Sequence, residues 1–321
     1  MRLITADGVV RSPARTRPPS RAPWRVGAVQ HRWHPDAEQH AEAIAEGVAT
    51  AATAGARLVC LQELTLSPYF AAADGPAATD LGPEDLTSGA TRELATRLAA
   101  THRVHVAASL WEADPAIAPR GWNTHICVAP DGTLVAATRK VHIPVTEGYR
   151  EDRFFPPGTP RDDLSDHGVF PVVDVAGTAV GFPTCWDQWF PELARAYALG
   201  GAEVLVYPTA IGSEPDHPDF DTQPLWQQVM VGNGIANGLF TVAVNRVGTE
   251  RIGGAAEITF YGSSFISDPY GRVLVQAPRH EPAVIVADLD LDARTDWLEL
   301  FPFLRTRRPE VYGPLTEGRE P

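Results

Sequence analysis

The chain has 321 residues, of which 44% are hydrophobic and 21% charged, an ordinary composition for a soluble globular enzyme. No apolar run approaches the roughly 18 residues that a membrane-spanning helix needs. The net charge of −13 argues against nucleic-acid or anionic-membrane partners and is compatible with a cationic small-molecule substrate. Because three cysteines cannot form a disulfide framework in so long a chain, we expect a reducing, cytoplasmic location.

The N-terminal residues 1–23 are rich in arginine and proline and lack the apolar segment of a secretory signal. We expect them to be a disordered extension. Residues 24–296 are expected to form one folded domain.

Strand and helix patterns alternate through this domain. The first half predicts strands at 24–30, 58–61 and 104–110, helices at 37–54 and 92–102, and a β-hairpin of 124–129 with 134–138. The second half repeats the plan, with strands at 178–184, 204–207, 241–245 and 283–288, helices at 191–199 and 226–237, and a hairpin of 263–267 with 273–276. Two such halves predict an α/β protein built as a four-layer α-β-β-α sandwich.

A C-terminal tail, residues 297–321, mixes aromatic residues with arginines. The aromatic side chains must be buried, either on their own domain or across a subunit interface. Both interpretations stay open from the sequence.

Three reactive side chains follow predicted strands. Glu63 comes after the strand at 58–61, Lys140 after the strand at 134–138, and Cys185 directly before a helical pattern. The positive end of that helix would favour the thiolate of Cys185. A thiol nucleophile, a carboxylate base and an ammonium that faces an oxyanion are the parts of a cysteine amidohydrolase.

Together these motifs resemble the nitrilase (carbon–nitrogen hydrolase) superfamily, whose catalytic residues are Glu, Lys and Cys in that chain order. The matching segments are Cys60-Leu-Gln-Glu63-Leu, Arg139-Lys140-Val-His-Ile-Pro144 and Cys185-Trp-Asp. The resemblance covers about residues 24–312. It implies that Cys185 is the nucleophile, that Glu63 is the general base, and that Lys140 and the backbone N–H of Trp186 hold the oxyanion.

The resemblance also implies a second glutamate in a loop after the lysine motif. The segment 148–158 matches that loop and assigns the role to Glu151, with Glu147 as a nearby competitor. This carboxylate would position Lys140 and the hydrolytic water.

Longer stretches are similar to the N-carbamoylputrescine amidohydrolase branch of the superfamily: residues 185–192, 207–215, 259–265 and 307–312. That similarity implies hydrolysis of a ureido amine to amine, CO2 and ammonia, in a homo-oligomer built on a dimer. No cysteine or acidic cluster accompanies the histidines at zinc spacing, so we expect no metal site and no cofactor.

The substrate tail is expected to be neutral or cationic. Relatives that act on carbamoyl amino acids carry an arginine three positions after the nucleophile, where this chain has Gln188. A cationic tail would be held by carboxylates or aromatic faces. The candidates are Asp187, Glu214 and Asp216, with Tyr69, Trp186 and Trp189 as ring partners.

The chain departs from the branch at Pro183, two residues before the nucleophile, in the segment 217–226, and at residues 254–257. The difference in the segment 217–226 motivates a second hypothesis. The chain could therefore be an amidase for another small ω-amino or guanidino amide. Nitrile hydrolysis is less favoured, and a non-catalytic role is disfavoured because Glu63, Lys140 and Cys185 are all present.

Overall fold

Two β-sheets form the centre of the protein, and helices cover their outer faces. The computed structural model describes residues 1–161, 168–251 and 257–317. Within these residues the first sheet has the spatial order β1 (Arg2–Thr5), β17 (Ala283–Leu289), β2 (Trp24–Gln30), β3 (Leu58–Cys60), β4 (His105–Ala113), β5 (Gly121–Val128) and β6 (Leu134–Arg139). The second has the order β16 (Val273–Gln276), β15 (Phe265–Ser267), β12 (Phe240–Val244), β11 (Val204–Pro208), β10 (Thr178–Gly181) and β9 (Val172–Val175).

Shorter elements complete the described part of the chain. Two small antiparallel sheets of two strands each are β7 (Val145–Thr146) with β8 (Tyr149–Arg150), and β13 (Val247–Glu250) with β14 (Ile258–Tyr261). The helices are α1 (Ala37–Thr53), α2 (Ala90–His102), α3 (Pro191–Leu199), α4 (Gln223–Asn237) and α5 (Asp292–Leu300). None of the helices in the described ranges is long and apolar enough to cross a membrane.

The layers follow from which faces are apolar. Val26 and Leu58 of the first sheet share one core with Val206 and Val242 of the second, so the sheets pack face to face. A second core lies between the first sheet and α1 and α2. A third lies between the second sheet and α3 and α4. The four-layer α-β-β-α sandwich expected from the sequence is therefore confirmed.

Close packing of α1 on its sheet depends on a glycine. A Cβ atom at Gly47 would lie 2.4 Å from the side chain of Val29, far inside van der Waals contact. The missing side chain lets α1 approach β2.

The strand directions bring the predicted site residues to one end of the sandwich. β2, β3 and β4 are mutually parallel, as are β10, β11 and β12. Glu63 follows β3 and Cys185 follows β10. The carboxyl ends of parallel strands share one sheet edge, which is where open α/β sheets present functional loops.

The N-terminal residues 1–23 are ordered, so the expectation of a disordered extension is wrong. β1 pairs in parallel with β17, and this adds an edge strand to the first sheet. Arg15 forms ion pairs with Asp290 and Asp296, both at 2.8 Å. Arg21 pairs with Glu203 at 2.5 Å. The partners of these arginines lie far away in the chain, so local composition could not reveal them.

The C-terminal tail does not begin at residue 297, because α5 runs through that position. The ring of Trp297 lies 5.4 Å from that of Tyr270, and its Nε1 donates to the carbonyl oxygen of Ile235 at 3.0 Å. Trp297 is thus packed on its own domain. Leu300 and Phe301 stay more than half exposed, and residues 318–321 lie outside the described part of the chain.

Candidate active site

Cys185 sits in a sharp turn at the end of the second sheet. Its backbone has a φ of +39°, which residues other than glycine seldom adopt, and it begins a short 3-10 helix, Cys185–Trp189. The preceding strand β10 has already ended at Gly181, so Pro183 removes no hydrogen bond from the sheet. The carbonyl oxygen of Pro183 instead accepts from Nδ1 of His125 at 3.1 Å.

Asp187 stabilises this turn. The sequence-based expectation that it contacts the substrate tail is therefore wrong. Its Oδ2 accepts from the backbone N–H of Thr184 at 3.0 Å. Its Oδ1 accepts from the backbone N–H and from Nδ1 of His142, at 2.9 and 2.8 Å. With both oxygens engaged in the interior, Asp187 joins the segment after Lys140 to the turn that carries Cys185.

Lys140 lies between two carboxylates in the interior. Its Nζ donates to Oε1 of Glu63 at 2.9 Å and to Oε2 of Glu151 at 2.7 Å. Asn123 donates to the same Glu63 oxygen at 2.8 Å, and the hydroxyl of Tyr69 donates to Oε1 of Glu151 at 2.9 Å. The structure thus brings together the predicted base, lysine and second glutamate. Glu151, not Glu147, is the residue that contacts the lysine.

The charges of this cluster stabilise one another. Burial alone would lower the pKa of Lys140, but the carboxylates of Glu151 and Glu63 raise it above its ordinary value. Burial, opposed by Lys140, raises the pKa of Glu151 to about 7. Lys140 is therefore an ammonium at neutral pH, whereas Glu151 titrates close to neutrality.

The helix that begins at Cys185 is a short 3-10 helix, and the surroundings of the thiol oppose its ionisation. Burial raises its pKa well above the ordinary value, the charge of Glu63 raises it further, and Lys140 opposes both. Only the short 3-10 helix follows the thiol directly, and α3 begins at Pro191. A neutral thiol needs a base, and Oε2 of Glu63 accepts no hydrogen bond from the described residues.

A cavity of about 400 Å³ opens over Cys185 and Glu151. Trp186 and Trp189 contribute to its wall, with their ring centroids 6.3 Å apart. The other lining residues are Pro144, Thr146, Glu147, Tyr149, Ala210, Ile211, Glu214, Pro215, Asp216, His217, Phe220, Thr222 and Leu225. Three carboxylates face it from the loops, and no lysine or arginine does so among the residues whose positions are described.

The sequence-based candidates divide into two groups at this cavity. Trp186, Trp189, Glu214 and Asp216 line it, and so does much of the segment 217–226. Tyr69 does not line it; it is buried and contacts Glu151. Gln188 is buried as well and does not line the cavity. Any preference for a neutral or cationic substrate tail must therefore come from other residues.

Sequence reasoning missed Tyr149, Ile211, Phe220 and Leu225 as lining residues. Each lies in or next to a segment that had been recognised, either the loop after the lysine motif or the stretch from 207 to 226. Proximity to a motif was the available signal. The tertiary fold decides which side chains of a loop point inward.

Comparison with known proteins agrees with this geometry. Residues 25–298 match the carbon-nitrogen hydrolase family. The chain is 34% identical to a citrullinase from Francisella tularensis, over 90% of this chain and 96% of that protein. It is 43% identical to an N-carbamoylputrescine amidase from Arabidopsis thaliana, over 60% of this chain and 62% of that protein.

Solved structures share the fold. A carbon-nitrogen hydrolase from Helicobacter pylori G27 superimposes with a TM-score of 0.79 at 33% identity, covering 93% of this chain and all of that one. A mutant of the Nesterenkonia AN1 amidase, of the nitrilase superfamily, has a TM-score of 0.72 at 22% identity, covering 93% and 99% of the two chains, and supports the fold alone. This protein therefore belongs to the carbon-nitrogen hydrolase family and is a hydrolase of carbon–nitrogen bonds.

Proposed function

We propose that the protein hydrolyses a small N-carbamoyl amine, similar to N-carbamoylputrescine, to the amine, CO2 and ammonia. The observation that carries the proposal is the charge of the cavity. Cys185 opens into a space whose loop carboxylates are Glu147, Glu214 and Asp216. A ureido group at Cys185 with an ammonium at the far end of its chain complements that arrangement.

In the first half-reaction Glu63 takes the thiol proton of Cys185, and the sulfur attacks the ureido carbonyl carbon. The oxyanion that forms is stabilised by the ammonium of Lys140 and the backbone N–H of Trp186. Glu63 then returns the proton to the departing nitrogen, which leaves as ammonia. The carbamoyl group remains bound to Cys185 as a thiocarbamate.

In the second half-reaction water replaces the leaving ammonia. Glu63 takes a proton from the water as it attacks the thiocarbamate carbon, and the thiol of Cys185 is released with that proton. Glu151 keeps Lys140 in place throughout and helps to orient the water. The product carbamate, R–NH–COOH, loses CO2 to give the amine.

Glu214 is the best-supported partner for the substrate tail. It lines the cavity and is half-buried, and burial raises its pKa, which a cationic ligand would reverse. The rings of Trp186 and Trp189 supply faces for a cation or for its methylene chain. An ammonium tail would thus be held between a carboxylate and aromatic side chains.

A ureido amino acid is the main competitor, because one relative matched over nearly its whole length is named a citrullinase. Such a substrate brings a carboxylate into the cavity next to Glu214. No described lining residue is a lysine or arginine that could pair with it. Another small ω-amino or guanidino amide is the second alternative, since the chemistry at Cys185 would be the same.

The test is ammonia release from N-carbamoylputrescine, citrulline, N-carbamoyl amino acids and ω-amino amides, with Cys185→Ala as the blank. We expect turnover of the carbamoyl amine at least about tenfold more efficient than that of citrulline, a difference of about 1.4 kcal/mol in transition-state binding. A preference for citrulline or another amide would overturn the substrate assignment but retain the catalytic residues. Activity of the Cys185→Ala protein would overturn the assignment of Cys185 as the nucleophile.

We further propose a cytoplasmic homo-oligomer built on a dimer. Cys60, Cys127 and Cys185 are all free thiols, which suits a reducing compartment. Exposed apolar side chains near the C-terminus, including Leu300 and Phe301, favour burial against another copy of the chain. Light scattering after size-exclusion chromatography tests this, because a monomer would contradict it.

A further inference from the structure

Arg246 lies behind the turn that presents Glu63. It follows β12 by two residues and is fully buried. Its Nη2 donates to the backbone carbonyl oxygen of Glu63 at 2.7 Å. The same nitrogen lies 3.2 Å from the carbonyl oxygens of Leu64 and Ser67. Leu64 has φ +49°, a conformation that needs support from its surroundings, and the guanidinium supplies it.

The other side of the guanidinium is paired with Glu250, at the end of β13. Nη1 of Arg246 lies 2.8 Å from Oε1 and 3.1 Å from Oε2 of that carboxylate. Oε2 of Glu250 also accepts from the backbone N–H of Tyr69 at 2.7 Å. Since the Tyr69 hydroxyl donates to Glu151, this ion pair reaches both of the carboxylates that contact Lys140.

Neither Arg246 nor Glu250 is among the described residues that line the cavity, so contact with substrate does not explain them. A buried ion pair adds little net stability over apolar residues of the same volume. This pair instead fixes the positions of the groups that it binds, because a planar guanidinium presents its five donors at fixed angles. Lysine has a single rotating ammonium and could not serve three carbonyls and a carboxylate in this way.

We propose that Arg246 and Glu250 are positioning residues, which fix Glu63 and Glu151 relative to Lys140 and Cys185. The inference rests on the proposed catalytic roles of those four residues. Proton transfer depends on distances held within a fraction of an ångström, and a misplacement of 1 Å can lower a rate about 100-fold. The cavity residue Glu214 belongs to a separate loop, so substrate binding should be largely unaffected.

The test compares Arg246→Met and Arg246→Lys with Arg15→Met. Arg15 is a matched control because it is also nearly buried and bridges two carboxylates, Asp290 and Asp296, away from the cavity lining. We expect Arg246→Met to lower kcat about 100-fold with KM within about threefold, and Arg246→Lys to recover part of that loss. Arg15→Met should lower the thermal midpoint but retain kcat.

A second readout does not depend on the identity of the substrate. Alkylation of Cys185 by iodoacetamide near neutral pH requires removal of the thiol proton, so a misplaced Glu63 should slow it about tenfold or more. If the wild-type protein prefers an amide other than a carbamoyl amine, the substrate proposal fails. The alkylation rates and kcat for that amide still decide the role of Arg246.

The inference is overturned if folded Arg246→Met retains kcat and the alkylation rate within about threefold of wild type. It is also overturned if Arg15→Met loses as much activity. Should Arg246→Met fail to fold, Glu250→Gln replaces it, because glutamine keeps the size and can still accept from the N–H of Tyr69. We expect that variant to lose about tenfold in kcat with KM unchanged, and an unaltered kcat would contradict the inference.

Discussion

Asp187 accepts two hydrogen bonds from His142 through one carboxylate oxygen, at 2.9 Å from the backbone N–H and 2.8 Å from Nδ1. The two residues connect the loop after Lys140 to the turn that carries Cys185. This contact joins the segment that carries Lys140 to the segment that carries Cys185, although the two segments follow strands of different sheets. The ring of His142 is in turn stacked on Phe190, 3.6 Å between centroids, which fixes its orientation.

Asp187→Asn should therefore impair catalysis and not binding. The amide has one acceptor oxygen where the carboxylate has two, so at least one buried N–H loses its partner, at about 1–3 kcal/mol. We expect kcat to fall about 10- to 100-fold and KM to stay within about threefold in steady-state kinetics. A raised KM with unchanged kcat would instead support the direct substrate contact expected from sequence.

Tyr69→Phe should shift the acid side of the activity profile to higher pH. Burial raises the pKa of Glu151 to about 7, and the hydrogen bond from Tyr69 is among the contacts that lower it. Removing that donor disfavours the carboxylate, so a more alkaline solution is needed to ionise Glu151 and hold Lys140. The dependence of kcat/KM on pH for the two proteins tests this. An unshifted acid limb would mean that Glu151 does not control it.

Glu214→Gln should weaken binding of a cationic tail. Glu214 is half-buried in the cavity wall, whereas Asp216 is exposed, and exposed charge pairs contribute little. For a carbamoyl amine we expect Glu214→Gln to raise KM about 10- to 100-fold, and Asp216→Asn to change it less than about threefold. The matched control substrate is a carbamoyl alkylamine without the terminal ammonium, for which both variants should resemble wild type. Equal loss with that neutral substrate would contradict an ionic contact.

Acid should destabilise the fold through buried His31. Burial, with the charge of His40, lowers the pKa of His31 from its ordinary 6.5 to about 3. Below pH 6.5, His31 binds a proton in the unfolded chain but not in the folded chain. The free energy of unfolding therefore has its full value above pH 6.5 and declines from there toward pH 3. At about pH 4.5 the free energy of unfolding should be about 2–3 kcal/mol lower than at neutral pH because of His31.

Urea unfolding at neutral pH and at about pH 4.5 measures this change. His31→Asn removes the titrating group at that position, so its free energy of unfolding should depend less on pH than that of the wild type. His125 is also buried, with a pKa lowered to about 4, and supplies a remaining acid sensitivity in both proteins. Identical pH dependence in the two proteins would show that His31 is not responsible.

Much of the fold could be read locally, because its strands and helices have complete periodic patterns. β2 and α3 have the predicted bounds, and α1 differs from its prediction by one residue. β9 and β13 were missed, since each is short and depends on a partner strand for its hydrogen bonds. β1 was missed for the same reason. In the described part of the chain its only strand partner is β17, which is distant in the chain.

The sequence by itself determined the layered α/β fold and the three strand-end residues Glu63, Lys140 and Cys185, since residue type and chain order suffice for both. Only the tertiary structure decided which groups surround these three side chains. It placed Glu151 on Lys140, turned Asp187 and Tyr69 inward as supports, and raised the pKa of the Cys185 thiol by burying it. Burial, charge and hydrogen-bond direction depend on groups distant in the chain, and these come together only when the two sheets pack.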